Sequence, residues 1–231
     1  MNITEQRNPY YQIRHIKMNN DGKIKGVKDP LPKMYNHFMI LCGQPGSGKT
    51  TWWVNLINKE HPREANYFEK FDRVEIFSNS FHTISEQINL TEDRIHDGLD
   101  DLEEVVSDIA DGDDKTLIIF DDVVSDIKND VFMQKLIWNR RHIGGGISIW
   151  LCLQVYNALP AKLRKSCNSV VLWNTSNKQE IDSIHKNFIN MPKNNFYELL
   201  RYVYRDPHDF LFVDCLHRKY YRNFNLLTIT E

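Results

Sequence analysis

The sequence predicts an α/β protein with a mainly parallel central sheet that is flanked by helices on both faces. Short apolar segments alternate with segments of helical periodicity, and strands that are apolar on both faces are typical of a parallel sheet covered on both sides. The chain has 231 residues, which is enough for one sizeable core. Charged residues make up 26% and hydrophobic residues 41% of the chain, which is ordinary globular usage and excludes a largely disordered protein.

Five core strands follow from apolar runs that are bounded by polar or turn-forming residues. They are predicted at Phe38–Cys42, Arg73–Ser78, residues 116–120, Ile147–Leu153 and Ser169–Trp173. Two further strands are predicted in the tail, at residues 210–213 and 220–227.

Helices are predicted between these strands from the spacing of apolar residues. They cover residues 50–59, an acidic segment in which Leu99, Leu102, Val106 and Ile109 recur at helical spacing, residues 129–141 and residues 178–188. The chain before residue 36 is polar and rich in turn-forming residues. We therefore expect residues 1–35 to form an extension and residues 36–231 to form a single domain.

Charge is distributed unevenly along the chain. The formal net charge is −2, but residues 92–114 contain eleven acidic residues and one arginine, so this segment carries −10 and the remainder +8. A polyanionic partner is therefore compatible with most of the molecule. The four cysteines have no metal-ligand spacing, which indicates a reducing compartment and no structural zinc. No apolar run reaches the length of a membrane span or resembles a secretion signal.

The most specific motif follows the first predicted strand. Residues 43–50 read GQPGSGKT and match G-x-x-x-x-G-K-[ST] between a strand and a helix. Glycines let the backbone point its N–H groups at phosphate oxygens, and the helix N-terminus adds positive charge. Lys49 would supply charge to the β- and γ-phosphates of ATP, and the Thr50 hydroxyl would bind Mg²⁺. The predicted nucleotide-binding residues are Gly43, Gln44, Pro45, Gly46, Ser47, Gly48, Lys49, Thr50 and Thr51.

A second motif, which is acidic, fits this phosphate site. The apolar run LIIF at residues 117–120 ends in Asp121 and Asp122, at the strand edge where nucleotides bind in open α/β sheets. Asp121 is the predicted Mg²⁺ ligand, and Asp122 either polarises the attacking water or caps a turn. Gln154 ends the fourth strand, where its amide either contacts this water and the γ-phosphate or is an ordinary polar strand end.

Several classes of P-loop protein compete for this pattern. A GTPase needs a glycine in the switch sequence after the second motif, and residues 121–124 read DDVV. A nucleotide kinase normally carries a lid rich in arginine, whereas the corresponding region here is acidic. An ATPase motor with an additional strand between the two motif-bearing strands fits best, and an ATPase that remodels proteins remains an alternative.

The motifs resemble one known family, the DNA-packaging ATPases of large eukaryotic DNA viruses, which form the poxvirus-type branch of the FtsK/HerA superfamily. The resemblance covers about residues 36–190. It rests on GQPGSGKT, LIIFDD, the pair Arg141-His142 followed by Ser148, and the pattern Q-x-Y-x-x-L-P-x-x-[IL]-R from Gln154 to Arg164. The family often has a glycine before the Arg-His pair, where this chain has Arg140.

This resemblance implies a RecA-like P-loop core that forms a homo-oligomeric ring, a pentamer or hexamer, with ATP between subunits. It implies that the ring drives double-stranded DNA of any sequence into a preformed capsid in the host cytoplasm, with a capsid or membrane-vertex protein as partner. Hydrolysis in such sites uses a cation supplied by a neighbouring subunit. Arg141 is the first candidate for this arginine finger, Arg140 the second and Arg164 the third.

Contacts to DNA are expected from a further set of residues. The candidate residues are basic side chains outside the nucleotide motifs. They are Arg14, Lys17, Lys23, Lys25, Lys28, Lys162, Arg164, Lys165, Arg201, Arg205, Arg218, Lys219 and Arg222.

Overall fold

The computed structural model describes residues 22–57, 67–80, 82, 84, 88, 94–123 and 127–229. Their strands are β1 (Phe38–Cys42), β2 (Arg73–Ser78), β3 (Ile95–His96), β4 (Thr116–Asp121), β5 (Ile147–Leu153), β6 (Ser169–Trp173), β7 (Phe210–Asp214), β8 (Lys219–Arg222) and β9 (Asn225–Leu226). Their α-helices are α1 (Lys49–Ile57), α2 (Leu102–Ala110), α3 (Val131–Asn139), α4 (Ala161–Arg164), α5 (Lys178–Phe188) and α6 (Lys193–Val203).

The described strands form one sheet in the order β3-β2-β4-β5-β1-β6-β7-β8-β9. All pairs from β3 to β6 are parallel, and the pairs from β6 to β9 are antiparallel. The predicted α/β class with a mainly parallel sheet is confirmed. Because β5 lies between β1 and β4, the additional strand predicted between the two motif-bearing strands is also present.

Both faces of the sheet are covered, as the apolar strands predict. Phe38 and Ile40 of β1 face a core that includes the buried sides of α2, α3, α5 and α6. Met39 and Leu41 face the opposite core, which contains Trp53 and the rest of the buried side of α1. Alternate residues of β1 therefore enter different cores, which explains why this strand is apolar at every position.

Part of the predicted N-terminal extension packs on the domain. Ile24 is buried in the same core as α1, and Lys23 forms a β-bridge with Met34. The Tyr67 hydroxyl donates a hydrogen bond to the Pro32 carbonyl oxygen at 2.5 Å. Residues 22–35 therefore cover one face of the sheet, while residues 1–21, with the DNA-contact candidates Arg14 and Lys17, lie outside the described residues.

Several predicted boundaries differ from the structure. Leu99 lies in a turn before α2, and the predicted helix over residues 129–141 begins after Asp130, whose carboxylate accepts a hydrogen bond from the Met133 N–H at 2.9 Å. The predicted single strand at residues 220–227 is a hairpin, because Asn223 adopts a left-handed backbone with φ 56° between β8 and β9. Helix α6 and the short strand β3 were not predicted from the sequence.

The α-helices of the described residues are four to eleven residues long. None of them is both long enough and apolar enough to cross a membrane.

Candidate active site

The P-loop connects β1 to α1 at the carboxyl edge of the parallel strands. The Gly43 N–H donates a hydrogen bond to the Leu153 carbonyl oxygen at 3.1 Å, which fixes the start of the loop against β5. A Cβ atom at Gly43 would lie 2.8 Å from the Trp173 Cβ, and Gly48 has φ +105°. The first position has no room for a side chain and the second has a backbone conformation that favours glycine, so both glycines of the motif are required.

Lys49 lies inside this loop. Its side chain is buried, and its Nζ donates to the carbonyl oxygens of Gly43 at 2.9 Å and Gln44 at 3.4 Å. The same Nζ lies 3.6 Å from Oδ2 of Asp122. The ammonium group is therefore placed between the phosphate loop and the acidic end of β4.

Thr50 and Asp121 meet directly at the first turn of α1. The Thr50 Oγ1 donates to the Asp121 Oδ2 at 2.8 Å. Burial raises the pKa of Asp121, and the hydrogen bond from Thr50 opposes that rise. The other oxygen, Oδ1, is buried and accepts no hydrogen bond of good geometry from the described residues. A hydroxyl beside a buried carboxylate is a donor set that fits Mg²⁺.

Asp122 directs its carboxylate toward Lys49 from an unusual backbone conformation. Its φ is 55°, in the left-handed region that aspartate and asparagine tolerate better than other non-glycine residues. The side-chain amide of Asn79, which follows β2, donates to the Asp122 carbonyl oxygen at 3.3 Å. Sequence reasoning missed Asn79, and its place directly after the neighbouring strand was the available signal.

Gln154 follows β5 at the same edge of the sheet. The preceding residue, Leu153, accepts the hydrogen bond from Gly43, and Cys152 pairs in register with Asp121. The Gln154 side chain is exposed. The fold therefore brings the end of β5 between the P-loop and the acidic end of β4, and the catalytic role of Gln154 stays a prediction.

The arginines of the Arg-His element lie near the amino ends of the parallel strands, whereas the P-loop lies at their carboxyl ends. Arg140 is buried and donates from Nε to the Asn36 carbonyl oxygen at 2.9 Å and from Nη1 to the Ile137 carbonyl oxygen at 2.8 Å. Asn36 precedes β1, whereas the P-loop follows it, and a strand of this length separates its ends by about 17 Å. Arg141 follows Arg140 and is exposed, so within one subunit it lies far from the phosphate loop.

The structure gives Arg140 a structural position instead of the predicted finger position. Burial lowers the pKa of its guanidinium, whose two hydrogen bonds go to backbone carbonyls of its own subunit. Ser148 contacts the same residue before β1, because its Oγ accepts a hydrogen bond from the Asn36 N–H at 3.0 Å. Arg164, the third candidate, donates from Nη1 to the Asn157 Oδ1 at 2.5 Å and lies 4.9 Å from the centre of the Tyr156 ring.

Comparison with known families agrees with this architecture. The chain matches the family model described as Poxvirus A32 protein over residues 28–204, which is more than half of its length. The chain belongs to the poxvirus A32 protein family. This membership confirms the resemblance to the poxvirus-type packaging ATPases that the motifs indicated. No curated protein sequence matches the chain at a significant level.

Solved structures show the fold of the A32 family chain independently. The genome packaging NTPase B204 of Sulfolobus turreted icosahedral virus 2, in complex with sulfate, aligns with a TM-score of 0.57 at 14% identity over 84% of this chain and 98% of that chain. The complex of B204 with ATP-gammaS gives a TM-score of 0.56 at 15% identity over 83% and 98%. EssC (ATPases 2 and 3) from Geobacillus thermodenitrificans gives 0.53 at 14% identity over 98% of this chain and 49% of that chain. The chain therefore has the P-loop ATPase fold that was predicted.

A large cleft adjoins the P-loop of the A32 family chain. Its volume is about 710 Å³, and one end is formed by P-loop and α1 residues from Gly46 to Thr51 together with Asp122. The other lining residues were not assigned from the sequence, because they either follow the motif on α1 or come from distant segments that carry no motif. They are Trp52, Asn55, Leu56, Trp173, His208, Phe210 and Phe224.

The structural position of Arg140 leads to a stability prediction. Arg140→Ala is expected to lower the free energy of unfolding by about 3 kcal/mol, because it removes a buried side chain that donates to the carbonyl oxygens of Asn36 and Ile137. Arg141→Ala, one residue along the chain and exposed, is expected to change it by less than about 0.5 kcal/mol. Equilibrium urea denaturation of both variants measures the difference. Equal stability of the two variants would contradict the structural position of Arg140.

Proposed function

We propose that this P-loop ATPase is a motor that moves double-stranded viral DNA into a preformed capsid. The observation that carries the proposal is that the phosphate site is assembled but has no arginine among the described residues that line it. Lys49, Thr50, Asp121 and Asp122 converge at the P-loop, whereas no arginine of the described residues lines the cleft. Membership of the A32 family and the fold shared with a viral genome packaging NTPase support the packaging role.

An arginine supplied by a neighbouring copy would complete this site. Arg141 is exposed and follows Arg140, which contacts Asn36 at the amino end of β1, so Arg141 lies far from its own phosphate site. A contact that joins one edge of a subunit to the opposite edge of the next is head-to-tail, and such contacts close into rings. We therefore propose a homo-oligomeric ring, a pentamer or hexamer, with ATP at each subunit interface.

Each residue of the phosphate site has a proposed part in hydrolysis. Lys49 and the loop N–H groups would hold the phosphates, and Thr50 with Asp121 would hold Mg²⁺, which neutralises charge on the β- and γ-phosphates. Asp122 would orient the attacking water and accept its proton. Gln154 would contact the same water from the end of β5. Its contacts, and with them the end of β5, would therefore respond to the presence of the γ-phosphate.

The proposed DNA surface consists of exposed basic residues outside the phosphate site. Arg222 is removed from the candidates, because its guanidinium lies 2.7 Å from Asp209 and donates to the Val203 carbonyl oxygen within its own subunit. Helix α2, which exposes Glu103 and Glu104, would lie away from the DNA. The candidates that the structure shows exposed are Lys23, Lys25, Lys28, Lys162, Lys165, Arg201, Arg205, Arg218 and Lys219.

The partner and the site of action follow from the proposed role. A packaging motor must dock on the container that it fills, so we propose a capsid or membrane-vertex protein as its partner. Assembly would take place in the host cytoplasm, where the cysteines remain reduced.

One experiment separates the proposed function from its alternatives. The rate of ATP hydrolysis is measured with and without double-stranded DNA of unrelated sequences, and we expect DNA to increase the rate. A nucleotide kinase would transfer phosphate to a nucleotide and ignore DNA. A protein-remodelling ATPase would respond to an unfolded protein and not to DNA, so either result would contradict the motor.

The binding of DNA is expected to depend strongly on salt and weakly on sequence. A motor must pass every sequence of its genome, so its contacts are to phosphates, and each contact contributes about −0.9 to the slope of log K against log salt. Charge reversal at Lys23 and Lys25 is expected to make this slope less negative and to leave ATP turnover without DNA unchanged. Fluorescence anisotropy with two duplexes over a salt series measures the slope.

The control variant is Lys178→Glu on α5, which reverses the charge of an exposed lysine that is not a DNA candidate. It is expected to keep the wild-type slope. Binding that is insensitive to salt, or a strong preference for one of the duplexes, would contradict translocation. Such a result would favour an ATPase that binds DNA as a regulator.

A further inference from the structure

The cleft beside the P-loop has a polar end and an aromatic end. The polar end contains the P-loop, where phosphates are predicted to bind. The aromatic end is lined by Trp52 of α1, Phe210 at the start of β7 and Phe224, and Trp173 at the end of β6 lies between Phe210 and the P-loop. A volume of about 710 Å³ is within the range of sites for nucleotide-sized ligands. The cleft therefore has room beyond the phosphates for a flat apolar group.

Phe224 is the accessible member of this aromatic group. It is 45% exposed, whereas Trp52 and Phe210 are each 7% exposed. Its ring stacks on Trp52 with centroids 5.9 Å apart and planes at 24°, and it meets Phe210 edge to face at 5.3 Å. One side of the Phe224 ring is thus supported by the protein, while much of its surface remains open.

The backbone around Phe224 is held in place. Asn223 exchanges backbone and side-chain hydrogen bonds with Phe210, at 2.9 Å from its N–H and 3.0 Å to its Oδ1. The Asn223 Nδ2 also donates to the Asp209 Oδ1 at 2.8 Å. The β8–β9 turn is therefore anchored to β7, and it presents Phe224 beside α1.

Two polar side chains that line the cleft, Asn55 and His208, contact the protein backbone. The Asn55 Nδ2 donates to the Thr51 carbonyl oxygen at 2.7 Å. The His208 Nδ1 lies 3.3 Å from the Ser47 carbonyl oxygen. A pocket that binds by ring stacking is tolerant of base identity, since every base has an aromatic face, whereas hydrogen bonds to the base edge would discriminate strongly.

We propose that the aromatic end of the cleft binds the base of a nucleoside triphosphate by stacking on Phe224, and that it accepts adenine and guanine with similar affinity. The inference rests on the proposed function only in that the same P-loop holds the triphosphate. It assigns to the β8–β9 turn, in the part of the chain beyond the motifs, a direct place in substrate binding.

Binding of three ligands tests this assignment. The dissociation constants of ATP, GTP and inorganic tripolyphosphate, each with Mg²⁺, are measured by calorimetry on the full chain without DNA. For the wild type we expect ATP and GTP to agree within about fivefold, because stacking does not read the base edge. Phe224→Leu is expected to weaken ATP and GTP by about tenfold and to leave tripolyphosphate unchanged, while Phe224→Trp keeps affinity for all three.

The matched control is Leu226→Ala, an exposed apolar residue of β9 in the same hairpin, which is expected to bind all ligands as the wild type does. Equal weakening of tripolyphosphate in Phe224→Leu, or a preference for ATP over GTP beyond a hundredfold, would overturn the inference. Failure of wild-type protein to bind tripolyphosphate and ATP would instead contradict the phosphate site of the proposed function. If DNA did not stimulate ATP hydrolysis, the proposed motor function would fail, but these binding results would still stand.

Discussion

Replacing Lys49 with alanine is expected to lower ATP turnover by about 10²–10³-fold or more and to weaken nucleotide binding. The ammonium group is buried at the centre of the P-loop, 2.9 Å from the Gly43 carbonyl oxygen, so no exposed lysine can take its place. Steady-state hydrolysis and calorimetric ATP binding measure the two effects. Lys135→Ala, which removes an exposed lysine from α3, is the control and keeps both at the wild-type level.

Asp122→Asn is expected to separate binding from hydrolysis in the same assays. Asparagine tolerates the left-handed backbone at this position, so the variant changes the charge and preserves the turn. ATP affinity stays near the wild-type value, while turnover falls by about 10²–10⁴-fold, the range for loss of a general base. Unimpaired turnover would remove Asp122 from the mechanism and make Gln154 the next residue to test.

Arg141→Ala is expected to lower turnover by about 10³–10⁵-fold with little loss of ATP affinity. The residue lies at the sheet edge opposite its own P-loop, so it can act only on the nucleotide of a neighbouring subunit. Mixing Arg141→Ala with Lys49→Ala protein is therefore expected to restore part of the activity. The first variant contributes an intact phosphate site and the second an intact finger to one shared interface.

This prediction is tested by ATP hydrolysis assays on mixtures of the two variants. Differently tagged subunits verify that mixed rings have formed. Arg140→Ala is an unsuitable substitute in the experiment, because it is expected to destabilise the subunit that carries it. Mixtures that contain mixed rings and yet remain inactive would show that Arg141 is not the finger. Arg164 would then be the next candidate.

The parallel core and the phosphate site were predictable because local sequence determines them. A strand such as Phe38–Cys42 is apolar at every position since both of its faces are buried, and that run is visible without any knowledge of its neighbours. Parallel strands end at one edge, so motifs that follow β1 and β4 meet there. The Thr50–Asp121 hydrogen bond joins two such motifs that are distant in the chain.

Other features depend on contacts that single motifs do not encode. Arg140 and Arg141 are chemically identical and adjacent, and only packing against Asn36 decides that Arg140 is buried. Phe224 is an isolated aromatic residue in the tail, whose place beside α1 results from the antiparallel pairing of β7 with β8. Helix α6 follows Pro192 and buries Phe196, Leu199 and Val203, a helical spacing that the sequence contained but that carried no motif.

The order of the strands in the sheet constrains how the chain folds as it is synthesised. Phe38 of β1 pairs with Ile149 and Met39 pairs with Ser169, so both neighbours of β1 are made more than one hundred residues later. Such non-local pairing slows folding and leaves an apolar strand exposed in partial chains. The P-loop also needs Leu153 for its first hydrogen bond. A nucleotide therefore finds no formed site on a short nascent chain, and stabilisation by a bound ligand begins only after β5 and β6 have left the ribosome.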